Sequence, residues 1–281
     1  MSLKVFIQYL LPKQAITIIA GKLANARAGR LTTIVIRWFV KRYQVNMSEA
    51  AMPDIVSYKT FNDFFTRALS DDARPLATTD FICPVDGAIS QLGDIVADQI
   101  FQAKGHHYST ATLLAGDRRL AKKFENGSFA TLYLSPRDYH RIHMPYDGRL
   151  TAMTYVPGDL FSVNPTTAQG VPGLFARNER VICTFESDIG KFVMVLVGAT
   201  IVGSMATSWH GIVNPPRSKD IRNWDYSNQD IMLKKGQEMG RFLLGSTVVM
   251  LFPTNALEFN ANWVGEKAIQ MGESMGTKVS V

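Results

Sequence analysis

Residues 192–208 read FVMVLVGATIVGSMATS and decide the fold class of this 281-residue chain. The stretch is apolar and rich in β-branched residues, and Gly198 and Gly203 interrupt it. A transmembrane helix needs about 20 consecutive apolar residues, whereas short apolar runs bounded by turn residues are typical of buried strands. The stretch therefore predicts two buried strands rather than a membrane span.

The same strand pattern covers most of the chain from about residue 80 onward. Short β-branched and aromatic runs alternate with turn residues, and one helix is predicted to interrupt them at residues 111–124. Neither a regular strand–helix alternation nor a GxGxxG motif is present, which argues against a doubly wound nucleotide-binding fold. We predict an α+β fold, in which N-terminal membrane-associating helices precede a mostly antiparallel, β-rich catalytic core.

Residues 1–75 carry helix signals instead of strand signals. Leu31, Val35, Trp38 and Phe39 follow the i, i+4, i+7, i+8 spacing of one helix face. Residues 60–63, TFND, resemble a capping box that opens a further short helix. These signals divide the chain into a helical region at residues 1–75 and a β-rich catalytic domain at residues 76–281.

The positive charge of the chain is concentrated at its N-terminus. Residues 1–42 hold eight Lys and Arg and no acidic residue, more than the net charge of +6 for the whole chain. These cations alternate with large apolar residues, which is typical of a helix at an anionic membrane surface. A nucleic-acid-binding protein more often spreads its cations over one recognition face, so no nucleic acid partner is expected.

No run of about 18 uncharged apolar residues occurs, which argues against a transmembrane helix. We therefore expect a peripheral protein on the cytoplasmic face of the cell membrane. The alternative is a basic helical hairpin that packs on its own core or on a second subunit. Cys83 and Cys183 form no CxxC pattern, which argues against a disulfide framework or a zinc site and fits a reducing compartment.

Three places in the β-rich part could carry chemistry. Ser246 follows Gly245 inside residues 240–253, GRFLLGSTVVMLFP, where a strand bulge is the simpler interpretation and no GxSxG nucleophile elbow is present. His140 and His143 would share one side of a helical turn but would face opposite ways on a strand. No Glu or Cys at ligand spacing accompanies them, so no metal site is expected.

Asp86 precedes Gly87, and a turn accounts for that position without any function. Taken together, however, Asp86, His143 and Ser246 supply the acid, the base and the hydroxyl of a catalytic triad, which is defined by roles and not by chain order. We assign no role to His106, His107 or His210, for which a structural role is the simpler interpretation.

Residues 235–247, KGQEMGRFLLGST, resemble the signature of the phosphatidylserine decarboxylase family, in its pyruvoyl-dependent, membrane-associated bacterial form. Further blocks in the same order extend the resemblance from residue 8 to about residue 253. These blocks are QYLLP at 8–12, FFTRAL at 64–69, Arg74-Pro75, PVDG at 84–87, YLSPRDYHRIHMP at 133–145 and PGDLFSVN at 157–164.

The resemblance implies that the chain cuts itself between Gly245 and Ser246, leaving a β chain of residues 1–245 and an α chain of residues 246–281. His143 would act as base for the Ser246 hydroxyl, which attacks the Gly245 carbonyl, and Asp86 would orient His143. β-Elimination and hydrolysis would then turn Ser246 into a covalent pyruvoyl group, the cofactor of the enzyme.

The pyruvoyl ketone would form a Schiff base with phosphatidylserine and accept electrons as CO₂ leaves, which gives phosphatidylethanolamine. His140 would assist decarboxylation or reprotonation. The resemblance also implies a heterodimer of the chain's own α and β parts, assembled into a homo-oligomer. Three alternatives remain: a pyruvoyl-dependent decarboxylase of a soluble amino acid, a Ser-His-Asp hydrolase that is not cut, and a membrane-bound β-rich scaffold.

Overall fold

The computed structural model describes residues 3–201, 204–244 and 247–279. Its first part is helical, as predicted. The helices there are α1 (Leu3–Leu10), α2 (Lys13–Ala24), α3 (Arg30–Tyr43) and α4 (Phe61–Phe65), with a 3₁₀ turn at Ile55–Ser57. Short helices inside the β-rich part are α5 (Thr110–Leu113), α6 (Arg118–Ala121), α7 (Pro165–Ala168) and α8 (Leu174–Arg177), with a 3₁₀ turn at Lys122–Phe124. The helix predicted at residues 111–124 is thus confirmed, broken into three short pieces.

The rest of the chain forms short strands joined by turns, as the turn signals predicted. In chain order the strands are β1 (Phe81–Ile82), β2 (Gly87–Asp94), β3 (Gln99–Ala103), β4 (His106–Ser109), β5 (Ser128–Tyr133), β6 (Arg141–His143), β7 (Gly148–Val156), β8 (Arg180–Ser187), β9 (Gly190–Val197), β10 (Met205–Thr207), β11 (Gly211–Asn214), β12 (Arg222–Asp225), β13 (Met232–Leu233), β14 (Glu238–Phe242), β15 (Thr247–Phe252), β16 (Glu258–Phe259), β17 (Ala268–Ile269) and β18 (Ser274–Thr277).

Two sheets matter for the site. Within the described residues the larger sheet has nine antiparallel strands in the order β12-β7-β8-β9-β15-β5-β2-β17, with β13 also paired to β7. The smaller one is antiparallel in the order β11-β10-β14-β6. The predicted α+β fold with a mostly antiparallel core is therefore confirmed.

Residues 192–208 form the two strands predicted for them, β9 in the large sheet and β10 in the small one. Alternate side chains of β9 enter two different hydrophobic clusters. Phe192, Met194 and Leu196 belong to one cluster, and Val193, Val195 and Val197 belong to the other. A strand that is buried on both faces has no polar alternation, which explains why this stretch reads as a continuous apolar run.

The N-terminal helices cover one face of the large sheet. Val5 and Ile36 are buried in the same cluster as the three valines of β9. The Gln8 side chain accepts a hydrogen bond from the Ser162 amide at 2.9 Å and donates one to Thr167 Oγ1 at 3.0 Å. One side of the predicted hairpin thus packs on the protein's own core. The capping box predicted at residues 60–63 is present at the start of α4.

The other side of these helices is apolar and exposed, including Leu10 and Leu23, each at least 70% accessible. Among the side chains that the structure describes, the other large apolar ones exposed on α1 to α3 are Phe6, Ile7, Tyr9, Ile18, Ile19, Leu31, Ile34, Val35 and Trp38. No helix in the described ranges combines the length and the apolar character needed to cross a bilayer.

Candidate active site

The predicted cleavage site lies where the chain passes from the small sheet to the large one. Gly245 and Ser246 themselves lie outside the described residues. On the preceding side, the Phe242 amide of β14 donates to the His140 carbonyl at 3.0 Å. On the following side, Thr247 opens β15 opposite Tyr133 of β5 and Val197 of β9. The described residues on both sides therefore bring the site beside residues 133–140.

Leu244, the residue that precedes Gly245, has a strained backbone. Its φ angle is 110°, in the half of conformational space that L-residues other than glycine rarely occupy. Its side chain is buried, at 8% exposure. Such strain persists only where the surrounding structure imposes it, and it clusters at functional sites.

His143, the predicted base, is bonded at both ring nitrogens. Its Nδ1 lies 2.7 Å from the Gly236 carbonyl oxygen, and its Nε2 lies 2.9 Å from the Tyr139 hydroxyl. A carbonyl oxygen only accepts, so Nδ1 carries the proton and Nε2 accepts from Tyr139. Burial lowers the pKa of His143 below its ordinary value, which keeps the ring neutral at neutral pH. A neutral ring is the form that a general base requires.

Asp86, the predicted orienting acid, is held by other groups. Its carboxylate accepts from Arg74 at 3.0 and 2.5 Å and from the Met271 amide at 2.9 Å. The hydrogen bond to Asp86 raises the pKa of Arg74 further above its ordinary value. The structure brings Asp86 near His143, since the His143 amide donates to the Pro84 carbonyl at 2.9 Å.

In this structure the Gly236 carbonyl, and not Asp86, sets the tautomer of His143. Asp86 accepts hydrogen bonds from the Arg74 guanidinium and the Met271 amide, while both ring nitrogens of His143 have other partners. The orienting role of Asp86 stays a prediction.

His140 has a different environment from that of His143. It is fully buried, with its ring centroid 4.0 Å from that of Phe65 in α4. Its Nδ1 donates to the Asp138 carbonyl at 2.8 Å, whereas its buried Nε2 has no hydrogen-bond partner among the described residues. Burial lowers the pKa of His140 to about 3, so the ring is neutral and Nε2 is a free acceptor. An unpaired buried acceptor is costly, which is typical of a functional position.

Two residues of the site were not singled out from the sequence, although both lie in blocks that were. Tyr139 is bonded to His143, as described above. Arg67 is only 4% exposed, and its Nε has no partner among the described residues. Both line a polar cavity of about 250 Å³ together with Arg74 and Asp86. Their positions could have been suspected only from the blocks YLSPRDYHRIHMP and FFTRAL.

A second cavity is apolar and lies between the N-terminal helices and the predicted cleavage site. It measures about 490 Å³, and its walls come from α2, α3 and α4 together with Ile201 and Leu244. Exposed Leu23 and Trp38 lie at its outer side. The cavity therefore runs from the exposed apolar surface to the residue that precedes Gly245.

Other histidines and the two cysteines were given no role from the sequence. His107 is exposed and bonded to the Gly105 carbonyl, and His210 is exposed beside Tyr226. Cys83 and Cys183 are buried and free. Within residues 3–201, 204–244 and 247–279, no group of three or more His, Cys, Asp or Glu side chains is arranged to hold a metal ion.

Comparison with known proteins identifies the family of this chain. The family model described as phosphatidylserine decarboxylase matches residues 61–277. The chain belongs to the phosphatidylserine decarboxylase family. A second family model, described as PSD, matches residues 3–44.

Individual phosphatidylserine decarboxylase relatives match almost the whole chain. The phosphatidylserine decarboxylase proenzyme of Dechloromonas aromatica (strain RCB) is 73% identical over 278 residues, which cover 99% of each chain. Those of Albidiferax ferrireducens and Herminiimonas arsenicoxydans are 69% and 67% identical, over 97% and 99% of this chain and 96% and 95% of theirs. Membership confirms the resemblance drawn from the sequence and the predicted enzyme class, a carboxy-lyase. It does not favour the soluble amino acid decarboxylase, the hydrolase or the scaffold.

Proposed function

We propose that the chain cuts itself between Gly245 and Ser246 and that the cut protein converts phosphatidylserine to phosphatidylethanolamine and CO₂. The observation that carries the proposal is the position of Leu244. This one residue combines a strained backbone, contact with the apolar cavity and a peptide bond to Gly245, whose carbonyl is the predicted point of attack. The relatives are named proenzymes, which supports maturation by cleavage. The proposed β chain is residues 1–245 and the proposed α chain is residues 246–281. The β chain holds the helical region at 1–75, and both chains contribute to the catalytic domain at 76–281.

Self-cleavage begins when Ser246 Oγ attacks the Gly245 carbonyl carbon. The hydroxyl proton passes to His143 Nε2 and then to the departing amide nitrogen, so a C–O bond replaces the C–N bond and an ester forms. Loss of the Ser246 α-proton then expels the Gly245 carboxylate, and water converts the resulting dehydroalanine to a pyruvoyl group and ammonia. Asp86, which is bonded to Arg74, stabilises the positive charge on His143 while that ring holds the proton.

The pyruvoyl group, once formed, supplies an electron-accepting ketone for decarboxylation. The described residues around position 246 fit such a group, because His140 Nε2 is a buried acceptor without a partner and His140 O is bonded to β14. We assign to His140 the proton traffic of turnover: it takes a proton from the substrate ammonium and returns it to the carbon that loses CO₂. Burial lowers the pKa of His140, so the ring is neutral when substrate arrives.

The apolar cavity would receive the acyl part of the lipid, and α1 to α3 would lie on the membrane surface. Their exposed apolar side chains supply burial in the acyl boundary, and eight cations attract an anionic leaflet at roughly 1 kcal/mol each when well placed. The same features favour the cytoplasmic face of the cell membrane. We also propose, from family resemblance, that the unit of cut α and β chains assembles into a homo-oligomer.

Denaturing gels of purified protein test the cleavage. Wild-type protein should give a large and a small fragment, whereas Ser246→Ala should remain one chain. Ser227→Ala, a change of an exposed serine, should be cut like wild type. Wild-type protein that decarboxylates phosphatidylserine as a single uncut chain would contradict the proposal.

A further inference from the structure

The hydroxyl of Tyr139 contacts His143 at the ring nitrogen that a base would use. Tyr139 is 5% exposed, and its hydroxyl lies 2.9 Å from Nε2. Because the Gly236 carbonyl fixes the proton on Nδ1, the Tyr139 hydroxyl must be the donor in this bond. It is also the only hydrogen bond of that hydroxyl to a described residue.

The charged groups around His143 are largely neutralised by one another. Arg141 lies on β6, the strand of His143, and Glu238 lies opposite His143 on β14. Arg141 and Glu238 form an ion pair at 2.9 Å. Asp86, which approaches from the loop before β2, is paired with Arg74 at 2.5 Å. The hydrogen bonds that the ring donates to the Gly236 carbonyl and accepts from the Tyr139 hydroxyl are therefore the contacts that act on it directly.

The hydrogen bonds to Gly236 and from Tyr139 respond differently when His143 takes up a proton. The Gly236 carbonyl accepts from Nδ1 in both states. At Nε2, a protonated ring would need an acceptor, so Tyr139 would have to turn its hydroxyl and give its own hydrogen to another group. No other described residue accepts from it. The bond is thus satisfied only while the ring is neutral.

We propose that Tyr139 is a positioning residue for His143, whose hydroxyl orients the ring and holds Nε2 as a proton acceptor until the Ser246 hydroxyl takes its place. This inference rests on the proposed function, in which His143 is the base of self-cleavage. It adds a residue to that step that the family blocks alone did not single out.

The test is the pH dependence of self-cleavage in Tyr139→Phe. Full-length chain is made by cell-free translation, synthesis is stopped, and the uncut chain is followed on gels in buffers from acid to neutral pH. Without the hydroxyl, His143 should take up a proton at higher pH. The acid limb of the cleavage rate should therefore move up by roughly half to one pH unit, the equivalent of one ordinary hydrogen bond.

Tyr146→Phe is the matched control, because Tyr146 is also buried but its hydroxyl donates to Asp188 at 2.7 Å. Its acid limb should stay where wild type has it. A Tyr139→Phe protein that melts at lower temperature but keeps the wild-type limb would show a merely structural tyrosine and overturn the inference. A limb displaced toward lower pH would overturn it as well.

If Tyr139→Phe does not fold, 3-fluorotyrosine placed at position 139 by nonsense suppression keeps the shape of the side chain and makes it a stronger donor. The limb should then move to lower pH, and an unmoved limb would overturn the inference. Failure of the proposed function looks different: wild-type chain that is never cut, or His143→Ala that is cut at the wild-type rate, would remove the step on which Tyr139 acts.

Discussion

Both ring nitrogens of His143 have hydrogen-bond partners, whereas only one ring nitrogen of His140 has a partner in the part of the chain that the structure describes. His143 sits between a backbone carbonyl and a phenol, beside paired charges and a polar cavity. The His140 ring packs at a tilt against that of Phe65, and its Nε2 has no hydrogen-bond partner among the described residues. His140 directly precedes β6 and His143 ends it, so three positions along the chain suffice to place the two rings in such different surroundings. The contrast teaches that two histidines of one block can serve two separate steps, one in maturation and one in turnover.

Removing His143 should have the largest effect. His143→Ala deletes the base of self-cleavage, and general base catalysis typically contributes ~100-fold or more. The chain should accumulate uncut, and decarboxylation of phosphatidylserine in vesicles should be lost with it. Gel analysis beside His210→Ala, a change of an exposed histidine that should be cut normally, checks this expectation. Efficient cutting of His143→Ala would show that His143 is not the base of self-cleavage and would contradict the comparison of the two histidines.

Removing His140 should leave maturation intact and damage turnover. His140→Ala should give both fragments, yet release of ¹⁴CO₂ from carboxyl-labelled phosphatidylserine should fall by about 100-fold, because the proton acceptor is gone. His210→Ala again serves as control. If His140→Ala is cut and retains full turnover, the second role is wrong; if it remains uncut, the two histidines do not have separate roles.

The outer surface of the N-terminal helices should control membrane binding without affecting either histidine. Leu23→Asp and Trp38→Asp replace apolar side chains that are 70% and 60% exposed. Each should weaken co-sedimentation with anionic liposomes by roughly tenfold or more, since burial of a large apolar side chain is lost. Both proteins should still be cut. Val264→Asp, which changes an apolar residue outside these helices that is 54% exposed, should bind like wild type.

The pH dependence should show the smallest and finest difference between the two regions. A histidine with a lowered pKa stays neutral further into acid, and its activity as a base falls only as pH drops through that lowered value. Self-cleavage should therefore have an acid limb below pH ~6.5, the ordinary value for histidine. Turnover by already cut protein should show no limb from His140 between about pH 5 and 8, since its pKa is about 3. An His140-dependent limb near neutrality would contradict this assignment.

Local signals in the sequence were sufficient for the elements of the fold. The apolar run of residues 192–208, interrupted by Gly198, predicted β9 and β10, and the TFND box predicted the start of α4. These features depend on neighbours in the chain and on burial periodicity. Residue types and family blocks likewise brought Asp86, His140, His143 and Ser246 into one hypothesis.

Contacts between distant segments could not be foreseen in this way. Gly236 lies 93 positions from His143 and Met271 lies 185 positions from Asp86, yet each supplies a decisive hydrogen bond. A backbone carbonyl or amide leaves no mark in residue type, so no pattern could predict that Gly236 sets the tautomer of His143. Arg74 was noted in a family block, but only its position in space makes it the partner of Asp86.

The intact mass of the small fragment tests the central claim most directly. Wild-type protein, denatured and analysed by mass spectrometry, should release a fragment of residues 246–281 whose first residue has the mass of a pyruvoyl group and resists N-terminal sequencing. A fragment that begins with an unmodified serine, a cut at another bond, or an active chain of full length would contradict the account.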